Sequence, residues 1–143
     1  MQIGGEHEDS YDDDFCIYND VLVHDGVNEF RLFGYPRNVF PPTDFHTATY
    51  YKGFIYIVGG LGDHGQRQSG FTPVYRLNCE DWSIRSVATM GDQPGWIYKH
   101  SAKLQGSHQL VVSGGKIQRD GNESNFAGLA ILDLEAFTWS KVD

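Results

Sequence analysis

Short apolar runs, broken every few residues by glycine or by polar turns, set the rhythm of this chain. In its middle third, residues 46–51 are rich in threonine and aromatics, Lys52-Gly53 supplies a tight turn, and Phe54–Val58 is a dense apolar run closed by Gly59-Gly60. β-Branched and aromatic side chains suit a pleated sheet, and a turn of this kind suits a two-residue hairpin. A long polar stretch, 61–72, follows. Residues 74–77 read as a third strand, and 82–87 alternate as W-S-I-R-S-V, a fourth strand with one buried face. No segment carries a convincing helical period.

The pattern recurs. Glycine pairs stand at Gly4-Gly5, Gly59-Gly60 and Gly114-Gly115, at a constant interval of 55 residues. His46-Thr47-Ala48 and His100-Ser101-Ala102 precede the second and third pairs, and Pro42 and Pro94 precede those histidines. Trp82, Trp139 and Phe30 follow the pairs at similar distances. The third unit repeats four strands at 100–105, Gln109–Ser113, 129–132 and 137–142. The first lacks its opening strand and keeps segments 1–3, 15–23 and 29–33. A fixed period of this length is the mark of a repeat architecture, and four short antiparallel strands per unit make a β-propeller blade. The predicted fold is therefore all-β, with 1–35 a partial blade, 36–90 a blade and 91–143 another, in an incomplete ring.

The glycine pair, a variable polar loop, Tyr75 and then Trp82 resemble the kelch repeat, and the proline and histidine ahead of the innermost strand are similar to the same family. The resemblance spans essentially the whole chain. The outer units depart from it: Leu132 and Val23 stand seven residues before Trp139 and Phe30, where the family prefers tyrosine, and Phe30 replaces a tryptophan. The resemblance implies that Trp82, Trp139 and Phe30 fill the space between neighbouring blades. It also implies a protein-interaction module that binds through loops. The alternative it leaves open is a carbohydrate-binding or carbohydrate-modifying domain of oxidase or isomerase type.

Composition narrows the partners. The 143 residues give 40% apolar and 21% charged positions, enough for a packed core, and no stretch approaches a membrane span. The net charge is −8, and six of those charges sit in one run at Glu6, Glu8, Asp9, Asp12, Asp13 and Asp14. Such a surface repels phosphate backbones, so neither nucleic acid nor a membrane is expected as partner. The acidic run is read as a solvated loop. A calcium site of carboxylate oxygens is its sharper alternative, although the spacing of an EF-hand loop is absent. Cys16 and Cys79 form no CxxC pair and are read as free thiols, which points to a reducing, cytoplasmic compartment. Gly59-Gly60-Leu61-Gly62 lacks the Lys-Ser/Thr of a phosphate loop. No catalytic residue, metal-ligand spacing or cofactor motif emerges.

In a four-stranded antiparallel blade the tight turns lie on one face. The second-to-third loops and the connections between blades lie on the other. Segments 6–14, 34–45, 61–73, 91–99 and 116–127 make that second face the long-loop face, the usual seat of recognition. Tyr35, Phe40, Arg67, Phe71, Trp96 and Arg119 are its expected anchors. His46 and His100 occupy matching positions on adjacent innermost strands, and with Asp44 and Lys99 they are the candidates for polar chemistry at the channel mouth. Their phase with the repeat favours rings packed between blades. Fewer than three blades leave apolar end faces uncovered, so the remaining blades are expected from a longer chain or from further copies.

Overall fold

The computed structural model describes residues 1–9 and 12–142, and side chains other than those of residues 8–15. It forms three successive sheets, antiparallel but for one added edge strand, and a small fourth sheet. The first is built from β1 (Gln2–Asp9), β2 (Asp12–His24) and β3 (Phe30–Phe33) in the order β1-β2-β3. The second has β4 (Thr47–Tyr51), β5 (Phe54–Val58), β6 (Val74–Asn78) and β7 (Ile84–Ser86) in chain order. Between the second and third sheets, Met90–Gly91 is β8 and Trp96–Tyr98 is β9. The third sheet holds β10 (Ser101–Gln105), β11 (Gln109–Ser113), β14 (Leu129–Asp133) and β15 (Thr138–Val142), with β8 added parallel to β15. Between β11 and β14, the hairpin of β12 (Lys116–Arg119) and β13 (Asn122–Asn125) captures β9 in a small sheet of its own. One 3-10 turn, His64–Gln66, is the only helical segment among the described residues, where the sheets do not close into a ring.

The core explains the patterns. In β5, Ile55 and Ile57 face a cluster shared with the first sheet, containing Val21, Phe40, Leu77 and Ile84. Tyr56 and Val58 face the other way, into a cluster shared with the third sheet, containing Leu110, Val112, Leu132 and Trp139. A sheet covered on both faces needs a continuous apolar strand. β11 is covered on one face only, so it reads Q-L-V-V-S, with Leu110 and Val112 at 0% exposure and Val111 turned away.

Two expectations about the repeat need correcting. Trp82 and Trp139 are not equivalent. Trp82 sits at a positive φ of 60° in the turn before β7, its N–H donating to Asn78 O at 2.8 Å. The residue that repeats this geometry is Phe137, with φ 53° and the same bond to Asp133 O. Trp139 pairs with Leu132 as Ile84 pairs with Leu77. The 55-residue interval therefore persists through the outer strand, and the indoles lie two positions apart in it. Both still fill inter-sheet space, Trp82 against the first cluster and Trp139 within the second. Phe30 does not. It is 65% exposed, stacked on His24 at 4.2 Å. In the ladders His24 pairs with Phe30 as Leu77 pairs with Ile84 and Leu132 with Trp139, so Phe30 does hold the equivalent position, but no preceding sheet among the described residues covers that face. Arg31 faces the other way, its guanidinium 5.6 Å from the Trp82 ring.

Two of the expected long loops are hairpins. β1 and β2 run past Gly4-Gly5 through two register shifts, pairing His7 with Cys16 and Asp9 with Asp12. Segment 116–127 folds as β12 and β13 about Asp120 and Gly121, whose φ values of 49° and 81° suit a tight hairpin turn. The acidic run beyond His7 lies among the side chains outside the described part, and with it the calcium reading of that run.

Candidate interaction face and channel histidines

The connection 34–46 and the loop 61–73 lie side by side on the long-loop face. Arg37 on the first and Asp63 on the second form an ion pair at 3.2 Å. The loop 61–73 is braced from within: Arg67 donates from Nε to Leu61 O at 3.2 Å and from Nη2 to Gly62 O at 3.1 Å, and Trp96 donates from Nε1 to Leu61 O at 2.9 Å. Thr72 is fixed by Gly95, with hydroxyl to carbonyl at 2.7 Å and amide to hydroxyl at 3.0 Å. Between the two segments runs a groove of about 350 Å³ whose floor includes Gly59 and Gly60 and whose walls include Arg37, Asn38, Gln68 and Phe71. A second recess of about 300 Å³ continues from Gln68 past His64 and Arg67 to Gln118 and Asp120 of the β12–β13 hairpin.

The six expected anchors differ in exposure. Phe71 is 40% exposed, its ring 6.4 Å from that of Trp96, and Arg119 is exposed on β12. Arg67 is half-buried and lines the second recess. Trp96 lines the groove but is buried. Tyr35 is half-buried, its hydroxyl donating to Trp82 O at 2.6 Å, and so ties the connection to the second sheet. Phe40 is a correction. At 0% exposure it is core, packed edge-on to Tyr75 at 5.2 Å, because the connection turns inward there to cap the cluster between the first two sheets. Arg37, Asn38 and Gln68 were not anticipated. Arg37 carried the same signal as Arg67, an arginine in a long loop. The two amides carried none.

His46 and His100 lie near one another beside the second glycine pair. His100 lies against Gly59, where a Cβ would stand 2.5 Å from the imidazole Cε1, so only glycine leaves room for the ring. Its Nε2 is 3.1 Å from Thr47 Oγ1. A Cβ at Gly60 would meet Thr43 Oγ1 and the Asp44 carbonyl first, with His46 Cβ next at 3.4 Å. Neither Nδ1 has a hydrogen-bond partner. Burial lowers both imidazoles to about 4, and the nearby His46 adds to the effect at His100. Both rings are therefore uncharged at neutral pH. Lys99 lies over the Phe45 ring at 4.6 Å. Asp44 is buried at 2% exposure, and neither carboxylate oxygen accepts a hydrogen bond. Among the described residues no group of three or more His, Cys, Asp or Glu is arranged to hold a metal.

The family model of the KLHDC2/KLHL20/DRC7 Kelch-repeats domain matches residues 1–143. The chain belongs to the kelch-repeat family. The antiparallel sheets are consistent with kelch blades, and the family is consistent with a protein-interaction module. No curated protein matches the chain. No helix among the described residues is long and apolar enough to cross a membrane.

Proposed function

We propose that this kelch domain is a protein-interaction module that receives a polypeptide segment of its partner in the groove between 34–46 and 61–73. The observation that carries this reading is the groove itself. Its walls are braced by buried and half-buried hydrogen bonds, while Phe71 and the Asn38 and Gln68 amides remain exposed along it. A partly exposed aromatic on a rigid base anchors binding at low entropic cost, and free amides match the donors and acceptors of a peptide backbone. Arg67 and Arg119 extend the same surface. The free thiols, Cys16 exposed and Cys79 half-buried, fit the reading of a partner met in a reducing compartment.

The test is affinity capture with three forms of the protein: unchanged, Phe71→Ala with Gln68→Ala, and a control, Lys103→Ala, on β10 away from the groove. Proteins retained by the unchanged and control forms and lost from the groove variant support the proposal, provided the thermal unfolding midpoints agree. An identical set on all three forms removes the groove from consideration. Retention on a glycan array that survives the groove substitutions would favour a carbohydrate-binding domain instead.

A further inference from the structure

Every joint between successive sheets has two unlike halves. Where the second sheet meets the third, it offers Tyr56, Val58 and Val74, and the third presents Leu110, Val112, Leu132 and Trp139. Both outer sheets carry one half of such a joint that no other sheet covers among the described residues. On the third sheet it is the half that the second sheet offers: Val111, Ser113 and Leu129 stand 55 residues after Tyr56, Val58 and Val74, on the side opposite Leu110 and Val112. Ile131 pairs with Val111 and lies on the same side. On the first sheet it is the half that the third sheet presents. Leu22 pairs with Leu32 and His24 with Phe30, while Val21 and Phe33 turn to the second sheet.

These uncovered positions are not built as a solvent face. Phe30 is 65% exposed where Ile84 and Trp139, its counterparts in the other ladders, are core, and Leu32 beside it is 67% exposed. Adjoining exposed apolar side chains of this size mark an association surface. The two open halves are of opposite kind, so the surface that suits each is the other, and one chain cannot bring its own first and third sheets together across the second.

We propose that two copies of this chain stack head to tail, the third sheet of each on the first sheet of the other, and so close a ring of six sheets. Six falls within the four to eight blades of closed propellers. A head-to-tail contact either closes after a fixed number of copies or runs on as a filament, and here the count closes at two. The area points the same way. Strands about 4.8 Å apart, rising about 3.3 Å per residue, give each face of a three- or four-stranded sheet roughly 250–300 Å². One joint falls short of a specific interface, whereas two joints remove on the order of 1,000 Å² in all, the least that such an interface needs. The composition suits a contact that opens and closes. Val111 and Ser113 replace Tyr56 and Val58, so a free chain shows water less apolar surface than an inner sheet would. The ring is a separate matter from the groove, which is complete within one copy.

Sedimentation equilibrium from about 0.5 to about 100 µM, a range that brackets micromolar affinity, tests the proposal. The weight-average mass is expected to rise from 16.1 kDa to twice that value and to stop there. Phe30→Ser on one face and Ile131→Ser on the other are each expected to hold the mass at that of a single chain throughout, because either change spoils both joints. Thermal unfolding at about 0.5 µM, where single chains predominate, checks that the variants fold, and there Phe30→Ser should match the unchanged protein. Leu129→Ser, an exposed change on the same face, serves if Ile131→Ser does not fold. A mass of one chain at every concentration overturns the proposal. So does growth past two copies, which would be an open stack. Dissociation by Phe30→Ser alone also overturns it, since that would pair like faces rather than unlike ones.

Discussion

Acid should destabilise this domain through two rings. Each of His46 and His100 titrates near 6.5 in an unfolded chain and about 4 in the folded one. A basic group with a depressed folded-state value contributes stability that is complete above pH 6.5 and is lost as the pH falls towards 4. Between pH 7 and pH 5 the unfolded chain takes up nearly one proton per ring and the folded chain almost none. The loss comes to roughly 2 kcal/mol per ring, about 4 kcal/mol for both if they act independently. Asp44 works in the opposite direction over the same range, because its raised value lets the folded form bind a proton that the unfolded form does not hold. The carboxylates held low by turn hydrogen bonds, Asp25, Asp81 and Asp133, titrate beneath the window and leave it clear. Urea unfolding followed by tryptophan fluorescence at pH 7, 6 and 5 therefore gives a slope, and His46→Gln with His100→Gln isolates the imidazole part of it. The double variant is expected to be less stable at pH 7 but to lose less between pH 7 and pH 5, by roughly 2 to 4 kcal/mol. Equal losses in both proteins would show that the rings are protonated or solvent-reached in the folded state, and the packing account of these histidines would fail.

Other substitutions test the repeat. Trp139→Ala, at 3% exposure in the cluster between the second and third sheets, should cost about 3–5 kcal/mol in denaturant unfolding. Phe30→Ser should stay within about 0.5 kcal/mol, because that ring is exposed. A large loss at Phe30 and none at Trp139 would reverse the strand alignment. Tyr35→Phe removes the hydroxyl bond to Trp82 O and is expected to cost about 1 kcal/mol by the same measurement. Gly60→Ala places a Cβ 2.2 Å from Thr43 Oγ1 at a φ of 119°, and its thermal midpoint should drop well below that of Gly65→Ala, where nothing stands within 4 Å.

Strand spacing was legible because hydrophobic burial imposes it. Phe54–Val58 and Gln109–Ser113 fall at their anticipated limits, since a strand covered on both faces and one covered on a single face leave different traces in the sequence. The outer strands were harder to place. Matching tryptophan to tryptophan put Trp82 in a strand, whereas hydrogen bonding puts it in a turn with positive φ, a position the apolar pattern does not mark. The Asp120-Gly121 turn did carry a hairpin signal. It was obscured because the flanking residues, K-I-Q-R and N-E-S-N, lack the alternation of a buried strand, and β13 is exposed throughout. At the candidate face, aromatic identity alone did not distinguish Phe40 from Phe71. Both lie in long loops, and only the inward turn of the connection at Phe40 makes one core and the other surface.

The glycine pairs join these observations. They were legible as a period, but the period does not say what the absent side chains make room for. At Gly59 the space is taken by the His100 ring and by Ile97 O, and at Gly60 by Thr43 Oγ1 and the backbone at Asp44. The lead-in to the third sheet is thus held on the sheet before it, and 34–46 lies between its own glycine pair and Gly5 of the first sheet, so that a histidine or an aspartate enters surroundings that disfavour charge. The perturbed protonation of Asp44, His46 and His100 is therefore a consequence of how successive sheets are joined. It requires no catalytic purpose. The groove arises from the same joints, because 34–46 ends at the glycine pair and 61–73 begins there, and both line it. A substitution that lifts a lead-in segment off its glycine pair should release the buried groups and deform the groove together. Gly60→Ala should thus move the Asp44 titration towards its ordinary range and weaken partner capture in one step, and a variant that does one without the other would separate the two.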